Sequence, residues 1–213
     1  INNMINEGVS IIDIGAFSSR PGANLISLKE EENRLFPILL KIREFFPDII
    51  ISIDTYRHQI AEQAIKYGAN MINDIYVKKN QTNMFKVIQK HNVPYVLMHM
   101  SGEPKNMQQN ITYTNFQSDI LNYFNTNIKM LHEMQFKQII IDPGFGFGKT
   151  IKHNYQLINM IPKIMKLGYP ILAGISRKSM ISKGLNISTN DTLTGTIAAN
   201  TICLMKGAKI IRV

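Results

Sequence analysis

The chain has 213 residues, 45% of them hydrophobic, and a formal net charge of +9. The apolar share excludes a disordered chain. The lone Cys203 excludes an internal disulfide framework and suits a reducing cytosol, and no apolar run reaches the ~18 residues that span a membrane. The positive charge raises nucleic acid as a partner, but the lysines are scattered, with no block of five like charges. A preference for anionic small molecules is the better inference, with neither nucleic acid nor membrane as partner.

The opening residues, INNMINEGVS, have neither the basic nor the apolar region of a signal peptide. They read as the last turns of a helix ended by Gly8. The chain starts without Met and stops on KIIRV inside a strand pattern, so a piece of a longer polypeptide is expected. Short, β-branched, nearly continuous apolar runs then recur at 9–14, 49–53, 71–75, 95–98, 138–141, 171–173 and 209–213, the pattern of parallel strands buried on both faces. Helical stretches alternate with them. Ser27-Leu-Lys-Glu30 predicts a capping box opening a helix to about Phe45, with Pro37 as a kink or break. Further helices are expected at 55–67 (ended by Gly68), 80–91, 115–134, 154–167 (ended by Gly168) and 191–206 (ended by Gly207).

Seven strands alternating with helices make an α/β protein. A doubly wound sheet would gather its polar residues at one switch point. A (β/α)8 barrel builds its site from the ends of many strands. Here polar residues follow strand after strand: Asp13, Asp54, Asn73-Asp74, His99, Asp142, Ser176-Arg177-Lys178 and Arg212. The expectation is a TIM-type (β/α)8 barrel, incomplete in this chain, as one domain over 1–213 that lacks its first strand and final helix.

The stretch IIIDPGFGFGKT resembles a phosphate cradle, but a P-loop needs glycine where Pro143 stands, and Gly144, Gly146 and Gly148 give G-x-G-x-G rather than G-x-G-x-x-G. What remains is Asp142 at a strand end on a slim turn, as a ligand group or as a turn cap. The glycines read as clearance for a flat ligand, and Lys149 as support for the loop. Asp54 either caps the next helix or faces a ligand. One of Asn73 and Asp74, polar inside an apolar run, is expected to meet a ligand. Ser176, Arg177 and Lys178 read as an anion site at a helix start. FSSRPGA reads as a mobile loop able to close on an anion. Met98 reads as pocket wall and His99 as a supporting group, and the five histidines form no metal cluster.

DIGAFSSRPGA, SIDT, INDI, VLMHM, IIDPGFGFGK, GISRKSM and the terminal RV occur in the order seen in the dihydropteroate synthase family, which the chain resembles over its whole length. The resemblance implies a TIM-type barrel that condenses 6-hydroxymethyl-7,8-dihydropterin diphosphate with 4-aminobenzoate, releasing diphosphate, in folate synthesis. It implies a sulfonamide target, a cytoplasmic homodimer and Mg²⁺ as cofactor, with the metal ligand expected outside residues 1–213. It assigns Asp54, Asn73, Met98, Asp142, Lys178 and Arg212 to the pterin. Ser19, Arg20, Pro21, Gly146, Phe147 and Ser176 go to the aminobenzoate and diphosphate. Lys178, Arg212 and Arg20 carry the catalysis, and the need for acid–base chemistry is small. Ala16-Phe17 stands where many members have Gly-Glu, and Ser19 where Thr is common. Residues 1–213 alone are expected to be inactive. A methyltetrahydrofolate–corrinoid methyltransferase barrel would share the Asp and Asn pattern, but it has no need of SSRPG or SRKS.

Overall fold

The structure is a computed structural model that describes residues 1–18, 26–77, 81–102, 107–109 and 111–213. A short helix α1 (Asn2–Asn6) leads into β1 (Ile11–Gly15), α2 (Leu28–Phe45), β2 (Ile50–Asp54), α3 (His58–Lys66), β3 (Met71–Asp74), α4 (Thr82–His91) and β4 (Tyr95–Met98). Then come α5 (Phe116–Glu133), β5 (Ile139–Asp142), α6 (Ile151–Met165), β6 (Leu172–Ala173), α7 (Ser179–Leu185), a 3₁₀ turn (Thr189–Asp191), α8 (Leu193–Met205) and β7 (Ile210–Ile211).

The strands are all parallel and neighbour one another in chain order. β1 to β5 form one sheet, a single Ile141–Ile171 bridge leads from β5 to β6, and β6 pairs with β7. No strand order is reversed, which removes the doubly wound alternative. The fold is a TIM-type barrel of which the described residues supply seven strands.

Period-two alternation sorts every strand into two faces. Ile51, Ile53, Ile72, Leu97, Ile139 and Ile141 point outward into the main core, against Leu35, Leu39, Ile60, Phe85, Phe124 and Leu157 of the helices. Each such fully buried side chain contributes roughly 1.5–3 kcal/mol. The alternate residues Met71, Val96, Ile140 and Leu172, with Ile11 and Ile210, fill the barrel interior. Two residues further along each strand, the same inward face carries Asp13, Asn73, Met98, Asp142 and Arg212. Asp54 joins them, two residues past Ser52 on β2. The strand-end polar residues therefore form one inward layer at the barrel's C-terminal mouth.

Several local expectations change. Pro37 does not break α2. It lies on the solvent face, and the buried stripe Glu31, Leu35, Leu39 and Ile42 holds the helix across the lost hydrogen bond. The capping box is half formed: Ser27 Oγ accepts from Glu30 N at 3.1 Å, but the Glu30 carboxylate takes Arg34 at 2.7 Å instead. Helix α3 starts at His58 rather than Thr55, because Thr55 Oγ1 donates to Glu31 at 2.7 Å and accepts from Arg57 N at 3.2 Å. Its cap position is Arg57, without a side-chain cap, so Asp54 is not a helix cap.

Candidate active site

The barrel mouth opens into a cavity of about 850 Å³ lined by Asp54, Met107, Gln108, Phe145, Gly146, Phe147, Lys178, Ser179, Lys183 and Arg212. Behind it the interior cavity is lined by Asp13, Ser52, Asn73 and again Arg212. Strand register makes neighbours of the groups at the mouth, for Asp54 pairs with Asn73, and the apolar Met98 with Asp142.

Arg212 is central. Its Nη1 donates to Asp13 Oδ2 at 3.3 Å, and its Nη2 lies 3.9 Å from Asp142 Oδ2. A Cβ at Gly174 would sit 3.2 Å from Arg212 Nε, so the glycine makes room for the guanidinium. Burial alone would lower the Arg212 pKa, but the carboxylates of Asp142, Asp13 and Asp54 outweigh it and raise it. Asp13 Oδ2 also accepts from Asn73 Nδ2 at 2.9 Å. Asp13 is thus the organiser of Asn73 and Arg212, a role its motif does not reveal. Its signal in the sequence is a carboxylate inside the apolar run Ile-Ile-Asp-Ile.

Alternation sends Asn73 and Asp74 to opposite faces of β3. Asn73 faces inward, whereas Asp74 faces the helices, accepting from Tyr95 Oη at 2.9 Å and from Tyr76 N at 2.9 Å. Two buried oxygens, Asp54 Oδ1 and Asn73 Oδ1, have no hydrogen-bond partner. A buried acceptor without a partner is destabilising unless a ligand completes it. Burial, reinforced by Asp13, raises the Asp54 pKa to about 8, so at neutral pH its carboxyl keeps a proton and offers both a donor and an acceptor.

This has a measurable consequence. The unfolded chain releases the Asp54 proton near pH 3.8, the folded chain near 8, so the stability it contributes is full below 3.8 and is lost as pH rises to about 8. In Asp54→Asn that loss is expected to shrink, with Asp74 (raised by burial to about 7) left as a second contributor. Urea unfolding at pH 5 and pH 8 checks it; equal wild-type and variant differences would refute the protonated Asp54.

The glycine turn after β5 is built differently from its sequence expectation. Asp142 Oδ1 accepts from Gly144 N at 2.7 Å, so one oxygen caps the turn while Oδ2 is the one that approaches Arg212. Gly144 and Gly148 give clearance to protein rather than to a flat ligand. A Cβ at Gly144 (φ +72°) would lie 1.9 Å from the His99 carbonyl oxygen, and one at Gly148 (φ +60°) 2.3 Å from that of Ser101. Only Gly146 borders the cavity, and its hypothetical Cβ meets Lys178 Cδ at 3.2 Å. Lys149 is wholly inside: its Nζ contacts His99 Nδ1 at 3.0 Å and the carbonyls of Gly144, Phe147 and His99 at 2.9, 3.0 and 3.2 Å. Burial lowers the Lys149 pKa to about 7, and holds the His99 imidazole well below its usual range, hence neutral.

Lys178 Nζ donates to the Phe145 carbonyl and lies 4.8 Å from the Phe147 ring centroid, a cation–π contact. Burial lowers its pKa to about 8. Met98 is fully buried and packs with Ile75, Met107 and Phe147, forming an apolar wall beside these cations. Ser176 does not start a helix. Arg177 follows it in the left-handed region (φ 53°), α7 begins at Ser179, and the cavity is lined by Ser179 and Lys183 rather than Ser176. Ser19, Arg20 and Pro21 lie outside the described residues. Among the described residues no group of three or more His, Cys, Asp or Glu side chains could hold a metal, and no helix is long and apolar enough to cross a membrane.

The family model described as pterin binding enzyme matches residues 1–213. The dihydropteroate synthase of Clostridium beijerinckii is 45% identical over 98% of this chain and 75% of its own length. The chain belongs to the dihydropteroate synthases. This family makes it an enzyme, a transferase. The Yersinia pestis dihydropteroate synthase, solved with a sulfonamide drug, superposes with a TM-score of 0.93 at 36% identity, over all of this chain and 77% of that one. The Thermus thermophilus dihydropteroate synthase, solved with 4-aminobenzoate, gives 0.92 at 31% identity, over all of this chain and 81% of that one. The inward layer is therefore the mouth of a dihydropteroate synthase barrel.

Proposed function

We propose that the protein joins 6-hydroxymethyl-7,8-dihydropterin diphosphate to 4-aminobenzoate. The observation that carries this is the pair of buried, unpartnered oxygens on Asp54 and Asn73, set in one polar layer with Asp142 and beside the cations Lys178 and Arg212. In this assignment Asp142 Oδ2 accepts N–H donors of the pterin edge. Asp54, Asn73 and Met98 surround the ring, and Arg212 covers its face. Phe147 and Gly146 flank the aminobenzoate, and its carboxylate meets the cations at the start of α7. The aniline nitrogen, neutral and nucleophilic, forms the new C–N bond at the pterin methylene as the C–O bond to diphosphate breaks. The aniline proton passes to solvent. Lys178 and Arg212, with Arg20 of the SSRPG segment, stabilise the charge that develops on the leaving group. No nucleophile–base pair is required.

Mg²⁺ accompanies diphosphate in this proposal, and among the described residues no cluster of His, Cys, Asp or Glu could hold it. A homodimer is proposed on the exposed apolar face of α8, where Leu193, Ile197, Leu204 and Met205 lie in solvent. Competition of sulfonamides with 4-aminobenzoate follows from the same assignment. The test is incubation of the natural full-length protein with labelled 4-aminobenzoate and dihydropterin diphosphate. Labelled dihydropteroate and diphosphate are expected in equal amounts; absence of product, or methyl transfer from methyltetrahydrofolate to a corrinoid, would overturn it.

A further inference from the structure

The turn that delivers Lys178 and Ser179 to the mouth is held from behind by α8. It joins β6 to α7 and passes through Arg177 at φ 53°. An arginine meets a steric penalty there that a glycine would not, so the conformation persists only with support from its surroundings. Lys178 N donates to the Ile175 carbonyl at 3.1 Å, which closes the turn on itself. Arg177 N donates to Thr196 Oγ1 at 3.1 Å, which ties the turn to the first turn of α8. Thr196 is buried on the packed face of that helix, with Ala199 and Cys203. Its neighbour Gly195 brings it within reach. A Cβ at Gly195 would lie 2.6 Å from Ile181 Cγ2 and 2.8 Å from Leu185 Cδ1, so α7 and α8 touch where no side chain intervenes. The start of α8 is fixed in turn by Thr192, whose Oγ1 donates to the Thr189 carbonyl at 2.6 Å and whose carbonyl accepts from Thr196 N at 2.8 Å. Thr196 does not line the mouth cavity, whereas Lys178, Ser179 and Lys183, just past the turn, do. There Lys178 Nζ reaches the Phe145 carbonyl and the Phe147 ring.

We propose that Thr196 is a positioning residue for the reaction: its hydroxyl holds the left-handed turn at Arg177, and so sets where Lys178 and Ser179 stand in the mouth. This rests on the dihydropteroate synthase assignment above. A hydroxyl suits the place because Oγ accepts the Arg177 N–H, which an apolar side chain of the same shape cannot do. Without that acceptor the turn is free to relax toward an ordinary φ, which moves the backbone of Lys178. A misplacement of about 1 Å can reduce the rate by ~100-fold.

The test uses the natural full-length protein and compares Thr196→Val with Thr196→Ser. Valine keeps the branched shape without the acceptor, and serine keeps the acceptor. In Thr196→Val, kcat is expected to fall about tenfold, because Lys178 acts on charge that develops only as the leaving group departs. The Kd of dihydropterin diphosphate, measured by calorimetry, is expected to change less than about threefold, since Asp54, Asn73 and Asp142 lie on other strands. Thr196→Ser is expected to restore kcat to within about twofold of wild type. If Thr196→Val does not fold, Thr196→Ala removes the same acceptor without adding bulk and is compared with Thr196→Ser in its place. A lower melting temperature with kcat unchanged would overturn the positioning role, as would equal losses in the valine and serine variants or a rise in Kd as large as the fall in kcat. Absence of turnover by the wild-type protein would instead remove the assignment on which the role stands.

Discussion

Asp142→Asn is expected to weaken binding of the dihydropterin substrate by about 100-fold, with the fold intact. A carboxylate lends two acceptors to adjacent N–H donors, and each charge-assisted bond contributes about 1.5–3 kcal/mol. The amide keeps one acceptor for the Gly144 N–H, which in the wild type reaches Asp142 Oδ1 at 2.7 Å. It then turns an NH₂ group toward the pterin donors and toward Arg212, whose Nη2 lies 3.9 Å from Asp142 Oδ2. Loss of one good bond and creation of a donor–donor contact amount to ~3 kcal/mol, or roughly two orders of magnitude in Kd. Calorimetric titration with the pterin substrate measures it directly. Affinity equal to wild type would remove Asp142 from the pterin edge.

The second large effect is expected from Lys149→Met, which acts on stability. Methionine matches the lysine in length but leaves three carbonyls and His99 Nδ1 without their shared donor. Buried acceptors left unsatisfied are destabilising by about 1–3 kcal/mol each, offset in part because a buried cation is also removed. A net loss of ~3 kcal/mol corresponds to a fall in melting temperature of about 6–12 °C for a chain of this size. The pH dependence identifies the cause. The unfolded chain holds the lysine proton up to pH 10.5, the folded chain only to about 7. Stability therefore rises with pH between those limits, by up to ~1.4 kcal/mol per unit. Lys178, lowered to about 8, adds its own slope above that pH. Urea unfolding at pH 7 and pH 9 should show a smaller rise in Lys149→Met than in wild type; identical rises would mean that Lys149 is not the group shedding its proton. The same variant loosens the turn that carries Phe147, so weaker 4-aminobenzoate binding is expected alongside.

Much of this site could be read before any coordinate. Asp54, Asn73, Asp142, Lys178 and Arg212 each follow a short apolar run, and a parallel barrel brings the ends of such runs together whatever lies between them. The errors share a different origin. Of the kink or break expected at Pro37, the break does not occur, because the buried stripe of α2 outweighs one missing hydrogen bond. Ser176 was placed at a helix start, but the backbone turns through a left-handed Arg177 first, which gives the cavity to Ser179 and Lys183. Asp13 and Thr196 went without a role because their partners lie elsewhere along the chain.

By itself, then, the order of residues determined the alternation of strands and helices, the inward placement of every second strand residue, and the chemistry offered at the mouth. These are local patterns with periods of two and 3.6 residues, and they survive without knowledge of neighbours. Tertiary structure alone decided what supports that chemistry. Lys149 meets His99 across 50 positions, and three of its four contacts are backbone carbonyls. Every residue carries a carbonyl, so such acceptors leave no mark in a sequence. The same holds for the glycines of DPGFGFGK: their spacing was visible, but only the close passage of the His99 and Ser101 carbonyls explains why no side chain fits at Gly144 and Gly148.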